Sequence, residues 1–137
     1  MAGIVVFDAS ALIALFSESD THHAWAIEAF RQTVEYDYQI SALTLAEVLV
    51  HPTKLGVEKR VMDNIQSLGM EVMPLHSESA APVAKLRVLS GLKMPDVVVL
   101  NQALAVGASI VTADQTLASC SKSMAIEVFA PMPNTKD

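Results

Sequence analysis

Cysteine is nearly absent: the single thiol, Cys120, excludes an intramolecular disulfide and leaves no His/Cys cluster for zinc. Its surroundings read as an ordinary helix face. No run of about 18 consecutive apolar residues occurs, which argues against a membrane-spanning helix. The start, MAGIVVFDAS, carries no basic leader and no small-residue cleavage pattern, so a mature cytoplasmic chain is expected. There is no GxSxG, no Cys–His pair, no phosphate-binding glycine loop and no HExxH. Serine, thiol and zinc-peptidase chemistries therefore have no candidate residues. Basic residues are also outnumbered. The formal net charge of −6 argues against a protein held to nucleic acid by general electrostatics, although it does not exclude a nuclease.

What is present is an apolar, single-domain composition. The 137 residues are 52% hydrophobic with a positive mean hydropathy, enough to bury a proper core. One domain is expected over residues 1–130, followed by a loose tail at 131–137. Ile4-Val5-Val6-Phe7 is a short apolar run that reads as a buried strand. Ala9 to Phe16 reads as a helix, and Asp20 as the N-cap of a second helix carrying Trp25, Ala29 and Phe30 on one face. A brief strand at Gln39–Ser41 precedes a helix from Thr44 to about Val50, expected to stop before Pro52. Val57 to Leu68 is helically spaced, and Glu71–Met73 is a third strand. Helices follow at Ser79–Leu89 and, opened by Pro95, at Asp96–Val106, ended by Gly91 and Gly107. The second of these is apolar nearly all round and is expected to be the most buried. Ser109–Thr112 is a fourth strand, Asp114 to about Ser119 a short helix, and Ile126–Phe129 a last strand.

Strands alternating with helices predict an α/β fold, a parallel sheet with helices on both faces. In such sheets function gathers beyond the carboxyl ends of the strands. Four acids, Asp8, Glu47, Asp96 and Asp114, stand where a strand or loop hands over to a helix, and all four are expected at that edge. No Lys or Arg lies within four residues of Asp8 or Asp114. Each acid alone has a bland explanation. Asp8 and Asp114 suit helix N-caps worth about 1 kcal/mol each. Thr44-Leu45-Ala46-Glu47 has the form of a capping box, and Asp96 favours the positive end of its helix. Capping would accept Ser, Thr or Asn at most of these places, so four acids on one edge call for more. Clustered carboxylates repel one another unless a cation joins them, and all-oxygen ligands suit Mg²⁺ or Mn²⁺. Such ions polarise a phosphoryl oxygen and activate water, so phosphodiester hydrolysis needs no protein nucleophile. His22 and His23 are far from these acids in sequence and read as surface residues, and His51 and His76 are similarly unsupported as functional groups. Lys54, Lys59, Arg60, Lys85, Arg87 and Lys93 crowd the middle of the chain, as solvated helix faces or as a rim that contacts phosphate.

Phe7-Asp8-Ala9-Ser10, Thr44-Leu45-Ala46-Glu47-Val48, Pro95-Asp96-Val97-Val98 and Val111-Thr112-Ala113-Asp114 resemble, in order and spacing, the four acidic motifs of PIN-domain ribonucleases. The resemblance runs from Val5 to about Phe129, and the length is similar to that of VapC toxins of toxin–antitoxin pairs. It implies a PIN-like three-layer α/β/α sandwich around a mostly parallel sheet of about five strands. It further implies a Mg²⁺- or Mn²⁺-dependent endoribonuclease acting on RNA, a homodimer without membrane attachment, neutralised by a VapB-type antitoxin. Asp8 and Asp96 would be the main metal ligands, with Asp114 and Glu47 completing the catalytic pocket. Ser10 and Thr112 would bind water or phosphate, or serve only as caps and strand-end hydrogen bonds. Asn101 and Gln102 depart from the small residues often found in that helix. Two alternatives stay open: a PIN-like domain that only binds a partner, and an aspartyl phosphotransferase using Asp8 as nucleophile. The latter is weakened by Ser10, which stands where a second Asp is expected.

Overall fold

In the computed structural model, which describes residues 2–133, five strands and seven α-helices alternate along the chain. The strands are β1 (Ile4–Phe7), β2 (Asp37–Ser41), β3 (Glu71–Met73), β4 (Ser109–Val111) and β5 (Val128–Phe129). The helices are α1 (Ala9–Phe16), α2 (His23–Gln32), α3 (Ala42–Lys54), α4 (Glu58–Ser67), α5 (Ala80–Ser90), α6 (Met94–Val106) and α7 (Gln115–Ser123). A 3-10 turn at Ser77–Ser79, not expected from the sequence, leads into α5.

All strand pairs are parallel, in the order β3-β2-β1-β4-β5. The chain builds outward from β1 through β2 to β3, then returns to the other side of β1 to lay down β4 and β5. The order therefore reverses between β1 and β4, the crevice where parallel sheets place their ligands. Alternate side chains of β1 feed opposite layers. Val6 packs with Ile110, Val83, Leu117 and α6, while Val5 and Phe7 pack with Leu12, Ala29, Ile40 and Ile65. The result is an α/β/α sandwich with two cores. Val97, Val98, Val99, Leu100 and Ala103 make α6 the helix with the most buried residues, as its apolar run predicts. Among the described residues no helix is long and apolar enough to cross a membrane.

Several boundaries differ from the sequence reading. The capping box at Thr44 does not form. Ser41 caps α3 instead, its Oγ accepting the Thr44 amide at 2.9 Å, so the helix starts at Ala42. Glu47 consequently sits in the second turn, free to face outward. The same helix runs through Pro52 to Lys54. In the last turn a proline forfeits one hydrogen bond, and the Leu55 amide closes the end onto His51 and Pro52 carbonyls. Asp20 does not cap α2, which begins at His23; its carboxylate accepts the His22 amide in the preceding turn. The last helix is longer and the last strand shorter than expected. Cys120 is half-buried on α7, against the α6 core. Of the expected tail, Pro131 accepts a hydrogen bond from Gln115, residues 131–133 form no regular element, and 134–137 lie outside the described residues.

Candidate active site

The β1–β4 crevice holds the acids. β1 ends at Phe7, and the next residue, Asp8, must both leave the strand and start α1. Its amide still pairs with Val111 of β4 at 3.1 Å, while its Oδ1 accepts the Ala11 amide at 2.9 Å as the N-cap. Thr112, just past β4, donates its hydroxyl to Asp8 Oδ2, and Ser10 Oγ lies 2.8 and 2.9 Å from the two oxygens. Asp114 caps α7, with Oδ1 accepting the Thr116 and Leu117 amides at 2.8 and 3.2 Å. Its other oxygen takes no part in the cap. Asp96 enters from the first turn of α6 and Glu47 from the second turn of α3.

These four acids line one cavity of about 220 Å³, together with Ser10 and Lys93. Asp8 and Asp114 thus each cap a helix and line the cavity: one helix start delivers the cap and the cavity carboxylate at once. Thr112, expected to bind water or phosphate or to make strand-end hydrogen bonds, is fully buried beneath the cavity. Its Oγ1 also accepts the Asp114 amide at 2.9 Å, so it positions two of the acids rather than facing the opening. Ser10 is tied in the same way, accepting the Ala113 amide at 2.9 Å. Of the six crowded basic residues, only Lys93 reaches this cavity. Its closeness in sequence to Asp96 was the signal available for that placement.

The electrostatics are unbalanced. Burial raises the Asp8 pKa above 3.8; hydrogen bonds from Thr112, Ala11 and Ser10 oppose that, and the charge of Asp114 adds to it. Asp96 is pushed up to about 6, by burial first and then by Asp114 and Asp8, with Lys93 opposing. Glu47 is raised by burial and by Asp96. Among the described residues the ion pairs are Arg31–Glu28 and Lys59–Asp63, both exposed and neither at the cavity. A set of oxygen donors that repel one another, without an ion-pair partner, has the chemistry of a divalent-cation site. As the side chains stand, however, no three acidic groups among the described residues are gathered to enclose a single ion.

The PIN domain family matches residues 5–122. No curated protein sequence matches the chain. Among solved structures, a toxin–antitoxin complex from Klebsiella pneumoniae is similar at 25% identity and a TM-score of 0.68, covering 81% of this chain and 87% of that one. VapC20 of Mycobacterium tuberculosis, described as a sarcin–ricin loop cleaving toxin, shares the fold at 12% identity and a TM-score of 0.70, over 85% and 94% of the two chains. FitAcB from Neisseria gonorrhoeae does so at 17% identity and a TM-score of 0.70, over 91% and 96%. The family match begins inside β1 and ends inside α7, so it takes in every acid of the cavity, and the chain belongs to the PIN domain family.

Proposed function

We propose that the protein is a Mg²⁺- or Mn²⁺-dependent endoribonuclease, a VapC-like toxin neutralised by a cognate antitoxin. The observation that carries this reading is the convergence of Asp8, Glu47, Asp96 and Asp114 on one cavity without an ion-pair partner. Asp8 and Asp96 would be the principal metal ligands, with Asp114 and Glu47 completing the set directly or through water. A bound divalent ion there would polarise a phosphoryl oxygen and lower the pKa of an attacking water.

The protein's own groups have separable tasks. Thr112, Ser10 and the Ala11 amide hold Asp8 in one orientation and favour its ionised form against burial. Asp114 is anchored through one oxygen and keeps the other for the cavity. Asp96 and Glu47 are less buried and can adjust to a ligand. The exposed amine of Lys93 at the rim supplies local attraction for a phosphate backbone in an otherwise acidic chain. An apolar groove of about 390 Å³, with Ile13, Phe16, Val48 and Pro52 in its walls, includes Glu47 and so adjoins the acidic cavity. An antitoxin segment in that groove would lie against the metal site, in keeping with the similarity to toxin–antitoxin complexes. The exposed Val88 and Leu89 of α5 suit burial by a second copy in a homodimer.

A second reading is a PIN domain that binds a partner without catalysis, for which the apolar groove beside Glu47 offers a surface. Metal binding with no turnover on any RNA would support it. The phosphotransferase reading is disfavoured, because Asp8 is only 4% exposed and both its oxygens accept hydrogen bonds. The test of the main proposal is divalent-metal-dependent RNA cleavage. Activity that survives both Asp8→Ala and Asp96→Asn would remove it.

A further inference from the structure

A second cavity, of about 120 Å³, lies at the carboxyl ends of β2 and β3 against α6. Its walls are mostly apolar, Pro74 and Val98 among them, with the amides of Gln39, Asn101 and Gln102 interspersed. Gln102 Nε2 donates to Gln39 Oε1 at 3.2 Å, tying α6 to β2. The remaining Gln102 atom, the carbonyl Oε1, is buried and accepts no hydrogen bond from any described residue. A buried acceptor left so costs about 1–3 kcal/mol, where an aliphatic side chain of similar volume would cost nothing of the kind. A ligand offering an N–H would remove that penalty.

α6 borders both cavities, with Asp96 in the acidic one and Gln102 in the other. Six helical residues separate Asp96 from Gln102 by about 9 Å along the axis and about 120° around it, and Ser41 and Met73, at the carboxyl ends of β2 and β3, border the second cavity. A flat, apolar-faced group with a hydrogen-bonding edge suits this second cavity, and Asn and Gln amides pair naturally with base edges. We propose that the cavity receives the base of a nucleotide adjoining the cleaved phosphate, with a base N–H donated to Gln102 Oε1. Gln102 and Asn101 are then specificity-determining residues. For its substrate class this rests on the ribonuclease reading.

The test has two arms. In the first, full-length ¹⁵N-labelled protein is titrated with adenosine, guanosine, cytidine and uridine, each at millimolar concentration, following the side-chain amide signals of Gln39 and Gln102. At least one nucleoside is expected to shift those signals to saturation. Gln102→Leu and Asn101→Ala should each weaken that binding by roughly fivefold or more. Asn101→Ala leaves the buried Gln39–Gln102 pair intact, so it serves if Gln102→Leu fails to fold. No response to any nucleoside overturns the proposal and leaves a water-filled cavity. In the second arm, cut sites in an RNA pool are mapped for wild type and the two variants. A change in the base flanking the cuts is expected. Cleavage with an unaltered flanking base in both variants overturns the base pocket and leaves the nuclease standing. A wild type that cuts nothing, yet saturates with a nucleoside at Gln102, has the opposite meaning.

Discussion

Asp96 carries the clearest single-residue consequence. Its carboxyl is raised from the ordinary 3.8 to about 6, chiefly by burial and then by neighbouring negative charge. An acid whose folded pKa lies above its unfolded value binds more protons in the folded state between the two. Its contribution to stability is therefore greatest below that window and is lost as pH rises through about 6. Asp8 and Glu47 shift in the same direction. Metal-free protein should melt at a higher temperature near about pH 5 than near about pH 7.5, and Asp96→Asn should flatten that slope. Melting curves in chelator check this, and a melting temperature that climbs with pH over the same interval would contradict it. Thr112 is the complementary case. Thr112→Val keeps the shape but leaves Asp8 Oδ2 and the Asp114 amide each short of a partner, at a cost of about 1–3 kcal/mol in urea unfolding. The sequence named Thr112 as a hydroxyl beside the fourth acid. It did not reveal that the side chain lies beneath the cavity, because that depends on β1 and β4 being neighbours.

The helix starts are where local chemistry and function coincide. α7 begins at Asp114, whose carboxylate caps two amides while standing in the acidic cavity. Asn is as good an N-cap as Asp, whereas Ala loses about 1 kcal/mol. Asp114→Asn should therefore unfold at nearly the wild-type urea concentration, and Asp114→Ala measurably earlier. Metal binding, read by calorimetry, should weaken in both. Equal stability of the two variants would show that the cap contributes nothing. Elements with strong local signals were readable in advance. β1 ran straight into its capping Asp8, and α5 and α6 ended at Gly91 and Gly107, both observed with the left-handed backbone that glycine permits. The failures came where two local signals competed. Ser41 reaches the Thr44 amide and pre-empts the Thr44–Glu47 box, moving the start of α3 back by two residues. Pro52 was read as a stop, yet in the final turn of a helix it costs only one bond.

At the scale of the whole molecule, the strand order was not legible, since alternating β and α segments fit several sheet orders. The placement of β4 beside β1 brings residues 8 and 114 to one crevice, and α3 and α6 add their acids from the helical layers. The fold consequently holds repelling carboxylates together, and a cation that binds only the folded state should stabilise it. Saturating Mn²⁺ at about 100 times its Kd contributes roughly 2.7 kcal/mol, a rise of the order of 5–10 °C in Tm for a domain of this size. An unchanged Tm in a chelator-stripped sample would count against the shared site. The measurement closest to the central claim is cleavage of a total bacterial RNA pool, with 5′-end mapping, by wild type and Asp96→Asn, each with and without Mn²⁺. Discrete cuts that require both Asp96 and Mn²⁺ are the predicted result. Cuts that persist in the variant, or no cuts from wild type shown separately to bind Mn²⁺, would contradict it.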